Sequence, residues 1–312
     1  MKKILLALIF ISLFIPNCLE AENQPQNSIQ IAPLKYEEKL NLGEVKIGTI
    51  DVINPTAIDE KIVVEVDSLK MSGLSGNLEF YKSKEGLEKY ITFNEKQFVL
   101  PARSGKKVKF RIGMPISASP GGYYGAIFFR ILPQDSETDQ TRAITSGRVG
   151  TILLLSVGQG DVRLGRVGDL TVISNPFDAK TKLLFAQENI AKYNSDPRGL
   201  LLKPTGEIVI KNIFGKEVAK EKIKDIYVLP ETRRDIQSEV EKANMFGLYK
   251  AELNISNYPG DPVETKKIYF VKISPNVLFI IGVFFLVSFI IISFIRRSKE
   301  NIVNKKTPKN NR

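Results

Sequence analysis

The sequence predicts an all-β protein with two tandem immunoglobulin-like antiparallel β-sandwiches, a signal peptide before them and one transmembrane helix after them. Three observations carry this prediction. Short segments alternate apolar and polar residues, three sequence marks recur in the same order, and each end of the 312-residue chain has an apolar run. Between the ends, the best helical pattern is short, at residues 236–244, so strands are expected to build the bulk of the protein.

The first 21 residues have the composition of a secretory signal peptide. Lys2 and Lys3 precede the apolar run 4–15, which is shorter than the roughly 20 residues that a membrane span needs. Cleavage after Ala21 would remove Cys18, the single cysteine of the chain. Because the exported protein would then have no disulfide, hydrophobic cores of ordinary size must hold its domains.

The C-terminal apolar run predicts a single membrane anchor. Residues 277–295 carry no charge, and a 19-residue helix spans about 28 Å, close to the thickness of the hydrocarbon layer. Residues 296–312 follow with seven Lys or Arg against one acid, Glu300. The positive-inside rule places this basic tail in the cytoplasm, so residues 22–276 are expected on the outer side of the cell membrane.

Composition narrows the possible chemistry. The formal charge of +11 comes mainly from the two ends, since the region between them has 36 Lys and Arg against 32 Asp and Glu, a net charge of +4. That balance does not suggest nucleic-acid binding. The chain has no histidine, and it would have no cysteine after cleavage, which excludes catalytic triads and metal sites that use either residue. We therefore predict no cofactor and no enzymatic activity.

One acidic segment weakly resembles a calcium-binding loop, which needs neither histidine nor cysteine. Asp135, Glu137 and Asp139 alternate like calcium ligands, but they lack the central glycine and the terminal glutamate of that motif. The sequence therefore predicts no metal site.

Alternation of apolar and polar side chains predicts the strands. In residues 107–112 the apolar Val108, Phe110 and Ile112 alternate with cations, which is typical of a strand with one buried face. Residues 249–255 alternate in the same way. Asn-Pro and Pro-Gly pairs separate such runs as turns, a pattern that favours antiparallel sandwiches.

Three marks repeat in register and predict an internal duplication. The pairs are 52–55 with 172–176, 99–101 with 228–230, and 122–126 with 247–251. The repeat is too long for a solenoid, so the repeated unit is a domain. We predict one sandwich over residues 28–158 and a second over 160–274, with the boundary near residues 158–160.

The segment 121–129, GGYYGAIFF, is predicted to be a structural corner. Glycines that cradle a phosphate need a following helix, whereas residues 126–129 have the composition of a strand. In immunoglobulin-like sandwiches a tyrosine near the start of the penultimate strand bonds back to the backbone. Tyr124 and Tyr249 are predicted to be this tyrosine in the two copies.

The same strand is apolar on both faces in the first copy only. Such a strand must be covered, either by its own domain or the second domain, or by a partner molecule. Coverage by a partner molecule would predict a binding surface built around Tyr123 and Phe129.

Short motifs along the chain resemble one known family. They are Asn54-Pro55, Leu100-Pro101, Met114-Pro115, residues 121–125 and Gly247-x-Tyr249, followed by a final strand that runs almost directly into the apolar helix. Their order is similar to the WxL-interacting protein family of bacterial cell surfaces. The resemblance implies an immunoglobulin-like peptidoglycan-binding domain, an immunoglobulin-like host-binding domain and a C-terminal membrane anchor. It also implies partner proteins at the cell surface and contact with wall polymer.

Together these observations predict a membrane-anchored, non-enzymatic surface protein that displays two sandwiches to cell-wall polymer or to a partner surface protein. Two alternatives stay open. One is an enzyme, or an accessory of one, that acts on wall glycan. The other is a chaperone that donates a strand to secreted subunits, since a Leu-Pro before an alternating strand also occurs in such sandwiches.

Overall fold

The computed structural model describes residues 29–132, 147–159, 163–241 and 245–305. The predicted signal peptide at 1–21, the acidic residues Asp135, Glu137 and Asp139, and tail residues 306–312 lie outside the described residues. Strands dominate the described chain, and one long helix ends it. The predicted fold class, sandwiches followed by a single apolar helix, is confirmed.

Strands β1 to β10 form two sheets within residues 30–157. One sheet has the order β1 (Gln30–Ala32), β3 (Val45–Ile53), β8 (Gly105–Gly113), β6 (Ile91–Phe93). The other has the order β2 (Lys35–Leu40), β10 (Arg148–Val157), β9 (Gly121–Ile131), β4 (Glu60–Ser72), β5 (Asn77–Tyr81), with β7 (Gln97–Leu100) also paired to β4. Side chains such as Ile50, Phe110 and Ile127 fill the space between these sheets.

Strands β11 to β18 form two further sheets within residues 165–273. In one, β13 (Lys180–Asn189) pairs with β11 (Gly165–Val167), β12 (Thr171–Val172) and β16 (Thr232–Glu241). The other has the order β15 (Glu217–Lys222), β14 (Thr205–Asn212), β17 (Phe246–Ser256), β18 (Glu264–Ile273). A separate core, with Phe185, Ile210 and Leu253 at its centre, lies between these two sheets.

One local prediction is wrong, and one strand departs from the antiparallel pattern of the fold. Residues 236–241 belong to strand β16 and not to a helix, with Ile236 and Val240 both in the core. Residues four positions apart lie on one face of a helix and also on one face of a strand. The spacing of Ile236 and Val240 therefore could not distinguish a helix from a strand. Strand β2 also departs from the antiparallel pattern, because it runs parallel to β10 from Lys35, opposite Ile152, to Leu40, opposite Val157.

Each sandwich has a buried asparagine in an equivalent place, and the sequence repeat predicted the wrong residue for it in the second sandwich. Asn54 follows β3, and its Nδ2 donates to the carbonyl oxygens of Leu100 (3.2 Å) and Pro101 (3.1 Å). The equivalent residue is Asn189 at the end of β13, whose Nδ2 donates to the carbonyl oxygens of Val228 (3.0 Å) and Leu200 (2.9 Å). Both asparagines are fully buried.

The predicted match of Asn54 with Asn175 is therefore wrong, since Asn175 lies exposed in the loop before β13. The match of 99–101 with 228–230 agrees with the structure, because each asparagine bonds to its own Val-Leu-Pro segment.

The last element, helix α1 (Pro275–Lys305), contains one candidate membrane span. Its residues Pro275–Arg296 are long and apolar enough to cross a bilayer, and none of the apolar window is buried inside the protein. A helix of this length and composition has the properties of a single membrane span.

We expect Asn54→Ala and Asn189→Ala each to lower the free energy of unfolding by about 1–3 kcal/mol, because each removes hydrogen bonds that a buried amide makes to backbone carbonyl oxygens. Asn175→Ala is the matched control and should change it by less than about 1 kcal/mol, since Asn175 is exposed. Thermal unfolding of the three variants checks this. A larger loss for Asn175→Ala than for Asn189→Ala would contradict the structural equivalence.

Glu252 gives the second sandwich a pH-dependent contribution to stability. Its carboxylate pairs with Lys211 across the strand and with Lys250 at 2.8 Å, and these ammonium groups lower the pKa of Glu252 to about 2. A carboxyl group whose pKa falls on folding stabilises the protein above its unfolded value, 4.5, and loses that contribution as the pH falls toward 2.

Wild type should accordingly unfold at a higher temperature than Glu252→Gln at pH 7, and this difference should shrink as the pH falls from 4.5 toward 2. Thermal unfolding of both proteins across that range measures it. A difference that stays constant with pH would refute the role of the carboxylate charge.

Candidate functional site

The two predicted binding residues lie inside the first sandwich. Tyr123 and Phe129 are buried side chains of the first core, and they point inward from strand β9. The ring of Tyr123 packs edge-on against Tyr90 with centroids 5.5 Å apart, while Phe129 lies opposite Val149 and Val64 of the neighbouring strands. Their own domain therefore covers this face, which was the alternative expectation, and the two side chains form no exposed surface.

The corner tyrosine of the first sandwich is Tyr123 and not Tyr124. The hydroxyl of Tyr123 donates to the carbonyl oxygen of Ser119 at 2.9 Å, four residues upstream. Tyr249 makes the equivalent contact, with its hydroxyl 3.3 Å from the carbonyl oxygen of Phe246. In both strands a glycine with positive φ, Gly121 at 121° and Gly247 at 114°, precedes the tyrosine by two residues. The predicted equivalence of Tyr124 and Tyr249 is wrong by one residue.

Tyr124 points to the other face of β9 and joins the two sandwiches. Its hydroxyl accepts a hydrogen bond from the backbone N–H of Leu201 (2.7 Å) and donates to the carbonyl oxygen of Gly199 (3.2 Å). The side chain is buried, and burial raises the pKa of Tyr124 above its usual value. At physiological pH the phenol is therefore neutral and can donate and accept at the same time.

Two glycines at the start of β9 allow the backbone of the second sandwich to approach this strand closely. A Cβ on Gly122 would lie 2.0 Å from the Tyr124 hydroxyl and 2.5 Å from the carbonyl oxygen of Gly199. A Cβ on Gly121 would lie 2.0 Å from the carbonyl oxygen of Arg198, whose N–H donates to Pro120 at 2.7 Å. The Gly121-Gly122 pair therefore provides space for the backbone of the other domain.

A third hydrophobic cluster, which we call the joint, surrounds Tyr124. Leu69, Met71 and Leu154 come from the first sandwich, and Leu201 and Leu229 come from the second. Full burial of an aliphatic side chain of this size stabilises a structure by about 1.5–3 kcal/mol relative to exposure. Domains move relative to each other by default unless their interface is large and hydrophobic, so this cluster favours a fixed arrangement.

Polar contacts surround the joint. The N–H of Asp235 donates to the carbonyl oxygen of Leu74 at 2.8 Å, which fastens the β4–β5 hairpin to β16. On another side, the hydroxyl of Tyr227 donates to Glu37 at 3.1 Å, and the ammonium of Lys35 lies over the Tyr227 ring. These contacts connect residues that are more than 160 positions apart, so they hold the two sandwiches in one orientation.

A polar cleft of about 430 Å³ lies beside the joint and is the candidate functional site. The segment 81–87 forms one wall, and residues 193–198 form the other. The guanidinium of Arg198 lies 4.3 Å from the ring centroid of Tyr123, which forms part of the floor. The polar lining is Ser68, Tyr81, Ser83, Lys84, Glu85, Ser119, Tyr193, Asn194, Ser195 and Arg198.

This lining is suited to hydrogen bonding and offers little for acid–base catalysis. Glycoside hydrolysis generally needs two carboxyl groups facing the bond that breaks, and Glu85 is the one acid among the residues that line the cleft. The nearby Glu88 is held behind the wall, where it accepts hydrogen bonds from the Ser68 hydroxyl (2.7 Å) and from the N–H of Ser83. Within the described part of the chain, no three Asp, Glu, His or Cys side chains come together as metal ligands would.

Of the two predicted binding residues, Tyr123 lines this cleft, but the sequence assigned it to an exposed surface. Phe129 lies further along β9 and does not reach the cleft. The wall at residues 193–198 was missed, because its role depends on contact with a domain that precedes it by about 75 residues in the chain. The double glycine at 121–122 was the one local signal of a close backbone approach.

No family model matches the sequence, and no curated protein shows significant similarity to it. Among solved structures, the class 5 fimbriae chaperone CfaA is 12% identical, with a TM-score of 0.39 over 79% of this chain and 99% of that chain. The CsuC–CsuE chaperone–tip subunit complex of Acinetobacter baumannii is also 12% identical, with a TM-score of 0.36 over 79% and 100%. The PapD-like domain 7 of human CEP192 is 12% identical, with a TM-score of 0.32 over 47% and 97%.

Tyr124→Phe should lower the free energy of unfolding by about 1–3 kcal/mol and speed hydrogen exchange at the Leu201 amide, because that N–H loses its acceptor. Tyr249→Phe is the matched control, since its hydroxyl bonds within its own strand. Hydrogen exchange with peptide-level resolution measures the effect. Leu201 protection that survives in Tyr124→Phe, or that is lost in both variants, would contradict a specific role in the joint.

Proposed function

We propose that this protein is a membrane-anchored, non-enzymatic binding protein of the cell surface, which holds a polar polymer of the cell wall in the cleft between its sandwiches. The observation that carries the proposal is the cleft itself, whose walls come from two domains held together by the joint. A site formed between two fixed domains is preorganised, so little conformational entropy is lost when a ligand binds.

The chemistry of the lining supports a carbohydrate-like ligand. Hydroxyl, amide and guanidinium groups can donate and accept hydrogen bonds to a polyhydroxylated chain, and the exposed ring of Tyr81 offers an apolar face against which a sugar can pack. The single lining carboxylate, Glu85, supports binding over hydrolysis of such a chain.

The anchor supports a place at the membrane surface. Helix α1 supplies a span of sufficient length, and the basic tail predicts that the sandwiches lie on the outer side. The resemblance of residues 121–125 and of the other short motifs to the WxL-interacting proteins supports the same function. Under this proposal the first sandwich would supply most of the wall contact, and the second would display a surface to partner proteins.

Asn194→Trp should weaken binding to purified cell-wall sacculi by about tenfold, equivalent to about 1.4 kcal/mol, because a bulky ring on the exposed rim fills the cleft without touching the joint. Cosedimentation of the full-length protein, in detergent, with sacculi measures the change. Asn94→Trp is the matched control, since Asn94 is also an exposed asparagine and lies outside the cleft.

Equal sedimentation of both variants and wild type would refute the cleft as the binding site. Release of reducing sugar or peptide from the sacculi by wild type would instead favour the enzymatic alternative.

A further inference from the structure

The second sandwich passes into helix α1 with almost no linker. Strand β18 ends at Ile273 and α1 begins at Pro275, so Ser274 alone separates them. The helix is already hydrogen-bonded at this point, because the N–H of Leu278 donates to the carbonyl oxygen of Ser274 at 3.0 Å. If α1 crosses the bilayer, the end of the sandwich where β18 terminates must lie within a few ångströms of the lipid headgroups.

Several exposed apolar side chains lie at this same end. Phe214 is 86% exposed at the tip of the β14–β15 hairpin, and Phe177 is 53% exposed in the loop before β13. Four more side chains lie on the outer face of β17 and β18, namely Phe246, Leu248, Tyr269 and Val271. Exposed apolar residues are ordinary when they are scattered, but a contiguous group marks an interaction surface.

The strand register places the hairpin tip and the β17–β18 residues together. Leu248 lies directly opposite Val271, and Phe246 lies opposite Ile273, the last residue before the helix. On the other side of β17, Asn212 is opposite Tyr249, so the hairpin tip that follows Asn212 reaches the same level as Leu248. The tip is therefore beside the start of α1.

A buried lysine fixes the Phe177 loop at this level. The ammonium of Lys272 donates to the carbonyl oxygens of Lys180 (2.9 Å), Asp178 (3.0 Å) and Asn175 (3.2 Å). The N–H of Ile273 donates to the carbonyl oxygen of Pro176 at 2.9 Å, immediately beside Phe177. These bonds hold the loop against the end of β18, so Phe177 is presented from a fixed backbone.

The outer face of this sheet changes from apolar to charged with distance from the helix. Leu248 and Val271 come first, and Lys250 follows one position further on the same face, paired with Glu252 at 2.8 Å. An apolar zone next to a span, with cations behind it, matches the polarity profile of a membrane interface. In such interfaces aromatic rings lie at the headgroup level and lysines reach toward water and phosphate.

We propose that the membrane-proximal end of the second sandwich, with Phe177, Phe214, Leu248 and Val271, is seated in the headgroup layer of the membrane that α1 spans. This inference rests on the membrane anchoring included in the proposed function, and it is independent of any ligand in the cleft. This contact would fix the orientation of the two sandwiches relative to the membrane. Helix α1 and the aromatic side chains would then hold the protein at several points, and not by the helix alone.

Tryptophan fluorescence tests the seating, because the chain has no tryptophan of its own. Three single-tryptophan variants of the full-length protein are reconstituted into phosphatidylcholine vesicles with brominated acyl chains, namely Phe214→Trp, Val263→Trp and Phe285→Trp. Val263 is an exposed residue at the opposite end of β18, roughly 30 Å from the helix, and Phe285 lies within the span. We expect Phe214→Trp to be quenched, more strongly by shallow than by deep bromines, and Val263→Trp to be unaffected.

Other outcomes separate the alternatives. Quenching of Phe285→Trp without quenching of Phe214→Trp would overturn the seating while leaving the anchor intact. Absence of quenching in all three would overturn both the anchor and the seating. A Phe214→Trp that is shielded from acrylamide in water as well as from bromolipid would show that a second copy covers this end, which also overturns the proposal. Wall binding of wild type measures the cleft separately, so the failure of one proposal is distinguishable from the failure of the other.

Discussion

The architecture depends on one strand that contributes its two faces to two different cores. Successive side chains of a strand point to opposite faces, so Tyr123 enters the first core while Tyr124 enters the joint with the second sandwich. A shift of one residue in this strand would exchange the two tyrosines and remove both contacts. The glycines at 121 and 122 are required for the same reason, because any side chain there would separate the domains.

The joint also sets how the two sandwiches are arranged relative to each other. Tyr124 bonds to Gly199 and Leu201, leucines from both domains surround it, and the β4–β5 hairpin reaches β16. The cleft beside the joint therefore has two walls in a constant relation. At the far end of the second sandwich, Lys272 fixes the end of β18, and Ser274 alone separates this strand from helix α1.

Only some of the short repeated motifs mark structurally equivalent positions in the two sandwiches. The Val-Leu-Pro segments before β8 and β16 correspond, because each accepts a hydrogen bond from the buried asparagine of its own sandwich and its residues are contiguous. The Asn-Pro motif does not correspond, because the buried asparagine of the second copy, Asn189, is the last residue of β13 and has no proline beside it. What the two copies share is an amide group at the end of an equivalent strand, and the neighbours of that amide in sequence are free to differ.

Several features were determined by the sequence alone: the β architecture, the apolar span near 277–295 and the number of repeated units. Each depends on periodicity, length or polarity over a local window, and such patterns act through backbone geometry and the hydrophobic effect. The tertiary structure alone decided what covers β9, which tyrosine turns the corner and where the cleft lies. Those outcomes depend on which neighbours β9 meets on each face, among them residues of the second sandwich that are 75 or more positions away. Alternation specifies that a strand has two faces without specifying which neighbour each face will meet.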